Sequence, residues 1–285
     1  MVNENSETRA VAHFSCGATS AISTAIALKH FDEVEIIYAD TNSEHSGNRD
    51  FLKSCEEKLF HQEITIVSSE KYNNIFDVFE ARKFLASPAG APCTTEMKKI
   101  PIREYLGDRL YSEVQVMGYD AGEKKRVDNF RKNNPEVNMW SPLYDKRITK
   151  ANALALLQRF DLDLPGMYKL GYNNSNCIGC VKAENLSYWA AIREDFPQVF
   201  DWYAKFERSI GRKVDGVPVG AAINKRYIDG ERQKVFLDEL PKDIKPKRDI
   251  SIECGYSCGM IADYIDDVVE DLPDDVIDEI QEMLL

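Results

Sequence analysis

The sequence predicts an α/β protein built on a parallel twisted sheet with flanking helices, followed by a cysteine-containing, mainly helical C-terminal part. Three observations predict it. In the first half, short apolar runs that end in small or polar residues alternate with amphipathic segments, the pattern of βαβ units. Cysteines sit in turns framed by Gly, Pro or Asn, and the final stretch is acidic with helical periodicity. The expected divisions are 1–145, the α/β region; 146–259, the cysteine-containing region; and 260–285, an acidic amphipathic helical tail.

The elements follow in order. HFSCGATS (13–20) joins an apolar run to the alanine-rich AISTAIALKH, so a strand is expected to pass into a helix through a turn of small residues. Small residues allow a tight turn, and a helix start offers unpaired N–H groups and a positive dipole end, which suits an anion. The alternative is an ordinary Ser- or Thr-capped turn. EVEIIYADT (33–41) reads as a buried strand, and NRDFLKSCEEKLF places Phe51, Leu52, Cys55, Leu59 and Phe60 on one helical face. EITIVSSE (63–70) and SEVQVMGYDAGE (112–123) read as further strands. Ligands of such sheets sit beyond the carboxyl ends of the strands, so these strand ends should meet in one crevice. Beyond residue 145, ITKANALALLQRFDLDLP has a Thr cap and helical spacing, YWAAIREDFPQVFDWYAKFERSIG is aromatic and helical, and VDGVPVGAAINKRYIDG is a Gly-punctuated loop or hairpin. The aromatics Tyr188, Trp189, Phe196, Phe200, Trp202, Tyr203 and Phe206 recur at helical spacing and are expected in a core rather than as a base-stacking platform.

Charge is uneven. The net charge is −12, but residues 260–285 carry ten acids and no Lys or Arg, so the rest of the chain is near −2. Ile261, Tyr264, Ile265, Val268 and Val269, and again Val276, Ile277, Ile280, Met283 and Leu284, recur at helical spacing on either side of Pro273, predicting two acidic amphipathic helices that dock on the body or on a partner. No apolar run reaches the roughly 20 residues that span a bilayer, and MVNENSETRA lacks the apolar core of a signal peptide, so a cytoplasmic location without a membrane is expected. The four histidines, at 13, 30, 45 and 61, show no metal-binding spacing, and His45 reads as a loop residue.

The seven cysteines lie at 16, 55, 93, 177, 180, 254 and 258. An odd number without a secretory signal argues against a disulfide framework. Cys177 and Cys180 form a C-x-x-C in SNCIGCVKA, Cys254 and Cys258 a C-x-x-x-C in IECGYSCG, and Cys93 stands in APCTTEMKKIP. Thiolates in tight turns suit a shared metal or cluster, against the alternative of inert buried thiols.

The order S-x-G-x-x-S after the first strand, Asp-Thr after the second, C-T-x-x-x-K-x-x-P past the third and then C-x-x-C resembles the phosphoadenosine phosphosulfate (PAPS) reductase family of the PP-loop adenine-nucleotide α-hydrolase superfamily. The likeness runs from about residue 11 to 259 and is greatest to reductase-like members of bacteria and phages. It implies a Rossmann-like PP-loop fold with 1–145 as the nucleotide-binding domain. The turn residues Ser15, Cys16, Gly17, Thr19 and Ser20 would bind phosphate or sulfate. Asp40 and Thr41 would lie near the adenosine, with Gly118 and Asp120 at a later strand end. Lys98 and Lys99 would meet ligand anions, against a solvated helix face as the alternative. The ligand would be PAPS, adenylyl sulfate or ATP, with Mg²⁺ where it is ATP.

The chain also departs from the pattern. Where ATP-pyrophosphatase relatives read S-G-G-x-D-S, Cys16 replaces the first glycine and Thr19 the aspartate, which favours the reductase type. Glu253, Cys254 and Gly255 resemble the start of the E-C-G-L-H motif whose cysteine attacks sulfur, but Tyr256 and Ser257 follow and Cys258 is added. Cys254 is therefore either the nucleophile, with Cys258 as resolving thiol, or a fourth ligand beside Cys93, Cys177 and Cys180, with Cys258 taking whichever role Cys254 does not. The implied cofactor is an iron–sulfur cluster of the 4Fe-4S type, with zinc as runner-up. The implied activity is thiol attack on an adenylyl sulfate, with a dithiol reductant or sulfur-donor protein as partner. The alternatives are an ATP-dependent sulfurtransferase acting on a nucleobase or similar substrate and a non-catalytic nucleotide or cluster sensor. A nucleic-acid substrate and a homo-oligomer are left open.

Overall fold

The computed structural model describes residues 9–87, 90–228, 231–250, 252 and 270–285. Arg9–Phe14 forms β1, which enters α1, Ala18–His30, through the small-residue turn. β2 is Glu33–Asp40, and α2, Gly47–Cys55, continues into a π-helical turn at Glu56–Phe60 before β3, Thr65–Ser68. α3 spans Ile75–Arg82; α4, Pro92–Thr94, runs through a π-helical turn at Thr95–Lys99 into α5, Ile100–Leu106. α6, Arg109–Ser112, leads to β4, Val114–Val116, then come α7, Lys124–Asn133, and β5, Met139–Trp140.

The five strands form one parallel sheet in the order β3-β2-β1-β4-β5, with Phe14 opposite Tyr38 and Ala12 opposite Val116. The order reverses between β1 and β4, the position at which sheets of this kind open a crevice at their carboxyl ends. Two differences from the sequence reading stand out. β4 is only three residues long, and Met117 to Asp120 run on beyond the ladder; β5 is two residues long, too short to leave a periodic signal.

Alternation along β1 separates two cores: Ala10, Ala12 and Phe14 pack under α1 and α2, while Val11 packs with Ile37, Leu110 and Phe130 on the other face. α8, Pro142–Asp145, precedes α9, Lys150–Arg159, whose Thr149 cap accepts the Asn152 amide and whose Ala153, Leu156 and Leu157 join the α1 core. α10, Gly166–Lys169, is followed by the cysteine loop, then by α11, Leu186–Asp195, and α12, Pro197–Ser209, where the expected aromatic helix is broken at Pro197. Tyr188, Trp189, Phe200, Tyr203 and Phe206 are buried in a third core shared with Ile75 and Phe79 of α3, so these aromatics are core, as their spacing predicts. In and just beyond the Gly-punctuated stretch, β6, Lys213–Val214, pairs antiparallel with β7, Val217–Pro218, and β8, Asn224–Ile228, with β9, Glu231–Val235.

The second acidic helix is α13, Asp274–Leu284. Its Ile277, Ile280 and Leu284 are buried in the α1 core, and Arg159 pairs with Asp274 and Asp278, so this part of the tail docks on the body. The expected first acidic helix lies in residues 261–269, outside the described residues. Among the described residues no helix is long and apolar enough to cross a membrane.

Candidate nucleotide cavity and cysteine pocket

A cavity of about 240 Å³ opens at the carboxyl ends of β1 and β4, where the strand order reverses. Ser15, Gly17, Thr19 and Ser20 line one side and Gly118 and Asp120 the opposite one. Gly118 is required there: a Cβ would stand 2.7 Å from Ser20 Cα and 2.8 Å from Ser20 N, so only a glycine lets the end of β4 lie against the start of α1.

The turn is organised from within. The Ser20 hydroxyl accepts from Ser15 N–H at 3.1 Å and Gly17 N–H at 3.3 Å and donates to Gly17 O at 2.9 Å. The hydroxyl oxygen of Tyr168, another lining residue, accepts from the Ala18 amide, and burial pushes its phenol up to about 12. α1 begins at Ala18, with Gly17 as its cap. Cys16 lies apart from the cavity: its side chain is wholly buried in the α1 core, its Sγ is 3.7 Å from Asn48 O, and burial pushes its thiol upward. Its φ of 55° is the left-handed conformation that glycine takes most easily, so the thiol stands where relatives of the pattern carry glycine without abandoning the glycine backbone.

The charges at the cavity are Lys98, Arg126, Lys150, Asp120 and Glu123. Arg126 pairs with Glu123 and lies 4.7 Å from the centre of the Tyr119 ring. Lys150 Nζ donates to Asn173 O and, at 3.2 Å, to Asn173 Oδ1; burial lowers its pKa against the opposing pull of Asp120 and Glu123. Burial and the neighbouring Glu123 raise the Asp120 carboxyl to about 6, although the Gly122 N–H donates to it at 2.8 Å. His13, at the end of β1, bonds Gln115 at 2.8 Å and burial lowers its pKa, which keeps the ring neutral.

Asp40 and Thr41 divide. Asp40 pairs with Arg49, accepts the Asn42 N–H at 2.8 Å and does not line the cavity. Thr41 is buried and its Oγ1 is 3.1 Å from Cys177 Sγ, placing it in a second, smaller pocket of about 20 Å³. That pocket brings together Cys93, Cys177 and Cys180, from α4 and from the turn after α10. Lys98 lines both cavities and lies 3.5 Å from Glu44 Oε1, which is itself 3.7 Å from Cys177 Sγ. Lys99 lines neither, and neither does His45, whose Nδ1 accepts the Gly47 N–H at 3.0 Å.

Three soft sulfurs, the donor type that thiophilic metals and clusters take, line the pocket, and beside them Thr94 Oγ1 and Glu44 Oε2 are buried without a hydrogen-bond partner. Among the described residues, however, no three His, Cys, Asp or Glu side chains converge closely enough to hold an ion. Cys254 and Cys258 lie outside the described residues. The nearest described residue, Ile252, lines the larger cavity, its N–H donating to Asn174 Oδ1 at 3.1 Å and its carbonyl accepting from Asn176 Nδ2 at 2.9 Å.

Sequence reasoning missed Arg126, Lys150, Tyr168 and Asn174 to Asn176. Lys150 follows a Thr cap that was legible, but nothing in the sequence brings that helix start to the end of β4. The sheet order and the crevice define an α/β protein of the nucleotide-binding type. The model of the phosphoadenosine phosphosulfate reductase domain matches residues 9–185, well over half of the chain, and the chain belongs to that family. The matched segment holds the turn, Cys93, Cys177 and Cys180, whereas Cys254 and Cys258 follow it. An uncharacterized protein of Methanocaldococcus jannaschii is 24% identical over 209 residues, 72% of this chain and 49% of that protein, so the chain spans about half the length of this relative. The phosphate complex of phosphoadenylyl-sulfate (PAPS) reductase from Candida auris superposes with a TM-score of 0.44 at 11% identity, over 61% of this chain and 82% of that one.

Proposed function

We propose that the chain is an adenine-nucleotide-binding enzyme of sulfur chemistry, in which a thiol attacks the sulfur of an adenylyl sulfate. The observation that carries this reading is the adjacency of the crevice and the three-cysteine pocket, which share Lys98 as a lining residue. The turn from Ser15 to Ser20, with Gly118 and Asp120 opposite, receives the nucleotide, and Lys98 and Lys150 offset its charge. Cys93, Cys177 and Cys180 hold the metal with Cys254 or Cys258. An iron–sulfur cluster bound there would supply a rigid, redox-capable centre beside the nucleotide; zinc would supply the rigidity alone.

Cys254 is the nucleophile of this reading, because Ile252, two residues before it, lines the crevice. The thiolate sulfur forms a bond to the sulfonyl sulfur, the bond from that sulfur to the phosphate oxygen breaks, and the nucleoside phosphate leaves with the electron pair. A dithiol reductant then attacks the cysteine sulfur of the thiosulfonate and releases sulfite, becoming oxidised to the disulfide. The test compares products from protein purified without oxygen, after iron and sulfide analysis. Wild type is expected to contain both elements and to release sulfite from PAPS or adenylyl sulfate with a dithiol, and Cys254→Ser to keep its metal while releasing none. Colourless protein without either element after reconstitution removes the cluster. AMP and pyrophosphate from ATP in the presence of a nucleobase acceptor, with no sulfite, replaces the reductase reading by the sulfurtransferase one.

A further inference from the structure

The acidic end of the chain is fastened to the helix that supplies one of the crevice cations. α9 begins at Lys150, which lines the crevice, and its cap Thr149 is held from two sides. On the body side, Ala121 N–H donates to Ile148 O at 3.0 Å, tying the segment before the cap to the Asp120 loop. On the tail side, the Thr149 hydroxyl, with one proton between two acceptors, lies 2.5 Å from Asp271 Oδ1 and 2.8 Å from Asn152 Oδ1. Asn152 Oδ1 accepts both Thr149 N–H and Leu272 N–H at 3.1 Å, and its Nδ2 donates to Leu272 O at 3.4 Å. The clasp is then buttressed by Ile277, Ile280 and Leu284 in the α1 core. A carboxylate at the start of a ten-residue helix is also favoured by the helix dipole.

We propose that Asp271 is a positioning residue for the crevice: by gripping the Thr149 cap it fixes the first turn of α9, and with it the Lys150 ammonium at the crevice wall. Tail docking and binding of an anionic ligand therefore stabilise one another, by the same factor in each direction. The inference rests on the crevice being the nucleotide site.

The test is a double-mutant cycle read by calorimetry with adenylyl sulfate and ATP, together with the rate of acylation of Lys150 in the ligand-free protein. Lys150→Met is expected to weaken binding about tenfold, the loss of one charged hydrogen bond. Asp271→Ala is expected to weaken it about fivefold, the scale of a carboxylate lost from the start of a helix. The double variant should bind no worse than Lys150→Met alone, because Asp271 acts through that lysine. Asp271→Ala should also raise the acylation rate of Lys150 severalfold, and Thr149→Ser, which keeps the hydroxyl, should leave rate and affinity as in wild type. Effects that multiply in the double variant, or an unchanged acylation rate in Asp271→Ala, would overturn the inference. Wild type that binds no adenine nucleotide while Asp271→Ala still raises the acylation rate sinks the nucleotide reading and leaves the clasp standing.

Discussion

Gly118→Ala places a methyl group where the structure has none to spare. The added carbon would stand 2.7 Å from Ser20 Cα, about 0.7 Å inside the 3.4 Å at which ordinary contact begins, and it meets backbone rather than a side chain that can swing aside. Either the end of β4 or the first turn of α1 must retreat. Overpacking of this kind costs about 2 kcal/mol, which for a chain of this size corresponds to a fall in Tm of roughly 4 to 8 °C. The retreat moves Ser20, whose hydroxyl organises the turn, so adenine-nucleotide affinity should fall about tenfold, the scale of one displaced charge-assisted hydrogen bond. Gly107→Ala is the control: its φ of +53° strains any side chain, but nothing lies within 4 Å of the new carbon. It should lower Tm while leaving affinity unchanged. Thermal unfolding and calorimetry on both variants decide the matter. A Gly118→Ala protein with wild-type Tm and affinity would refute the close approach of β4 to α1.

Three further expectations rest on Asp120 and Ile277. Asp120 is raised to about 6 by burial, so the native state holds a proton that the unfolded chain has already released; stability contributed by this group should fall as pH rises from about 4 to 6, and Asp120→Asn should remove that slope in urea titrations. For the same reason anionic-nucleotide affinity should rise as pH falls through 6 in wild type and not in Asp120→Asn. Ile277→Ala removes a fully packed side chain from α13 and should cost about 3 kcal/mol in urea unfolding; a cost near zero would mean that the tail contributes nothing to the body in solution.

How much of this was legible depended on whether the signal was local. β1, β2 and α1 could be read from apolar runs and from HFSCGATS, and Thr149 as a cap from its own neighbours, because each is specified by residues adjacent in the chain. β5 could not, since Met139 and Trp140 are too few to show a period. The meeting of Cys93 with Cys177 and Cys180 was expected from their turns, and the structure puts all three on one pocket. The separate fates of Asp40 and Thr41 were not legible: they are neighbours in sequence, but one pairs with Arg49 and the other bonds Cys177. Arg126, Lys150 and Tyr168 reach the crevice only because helices far apart in the chain converge at the reversal of strand order, a consequence of topology that no local pattern encodes.

The small-residue turn is already engaged before any ligand arrives. Ser15 and Gly17 amides are taken by the Ser20 hydroxyl, the Ala18 amide by Tyr168, and the Cys16 side chain anchors the bend from beneath. On the proposed reading, an incoming phosphate or sulfate would gain these donors only by exchange, each new contact replacing an uncharged bond to a hydroxyl by a charge-assisted one. Association of this sort would lose little chain entropy, because the loop is ordered beforehand, and its heat would be the difference between the two kinds of bond rather than the whole of the new one. Discrimination at the turn would then rest on charge: a neutral group offers no better acceptor than the hydroxyl it would replace, whereas an anion does.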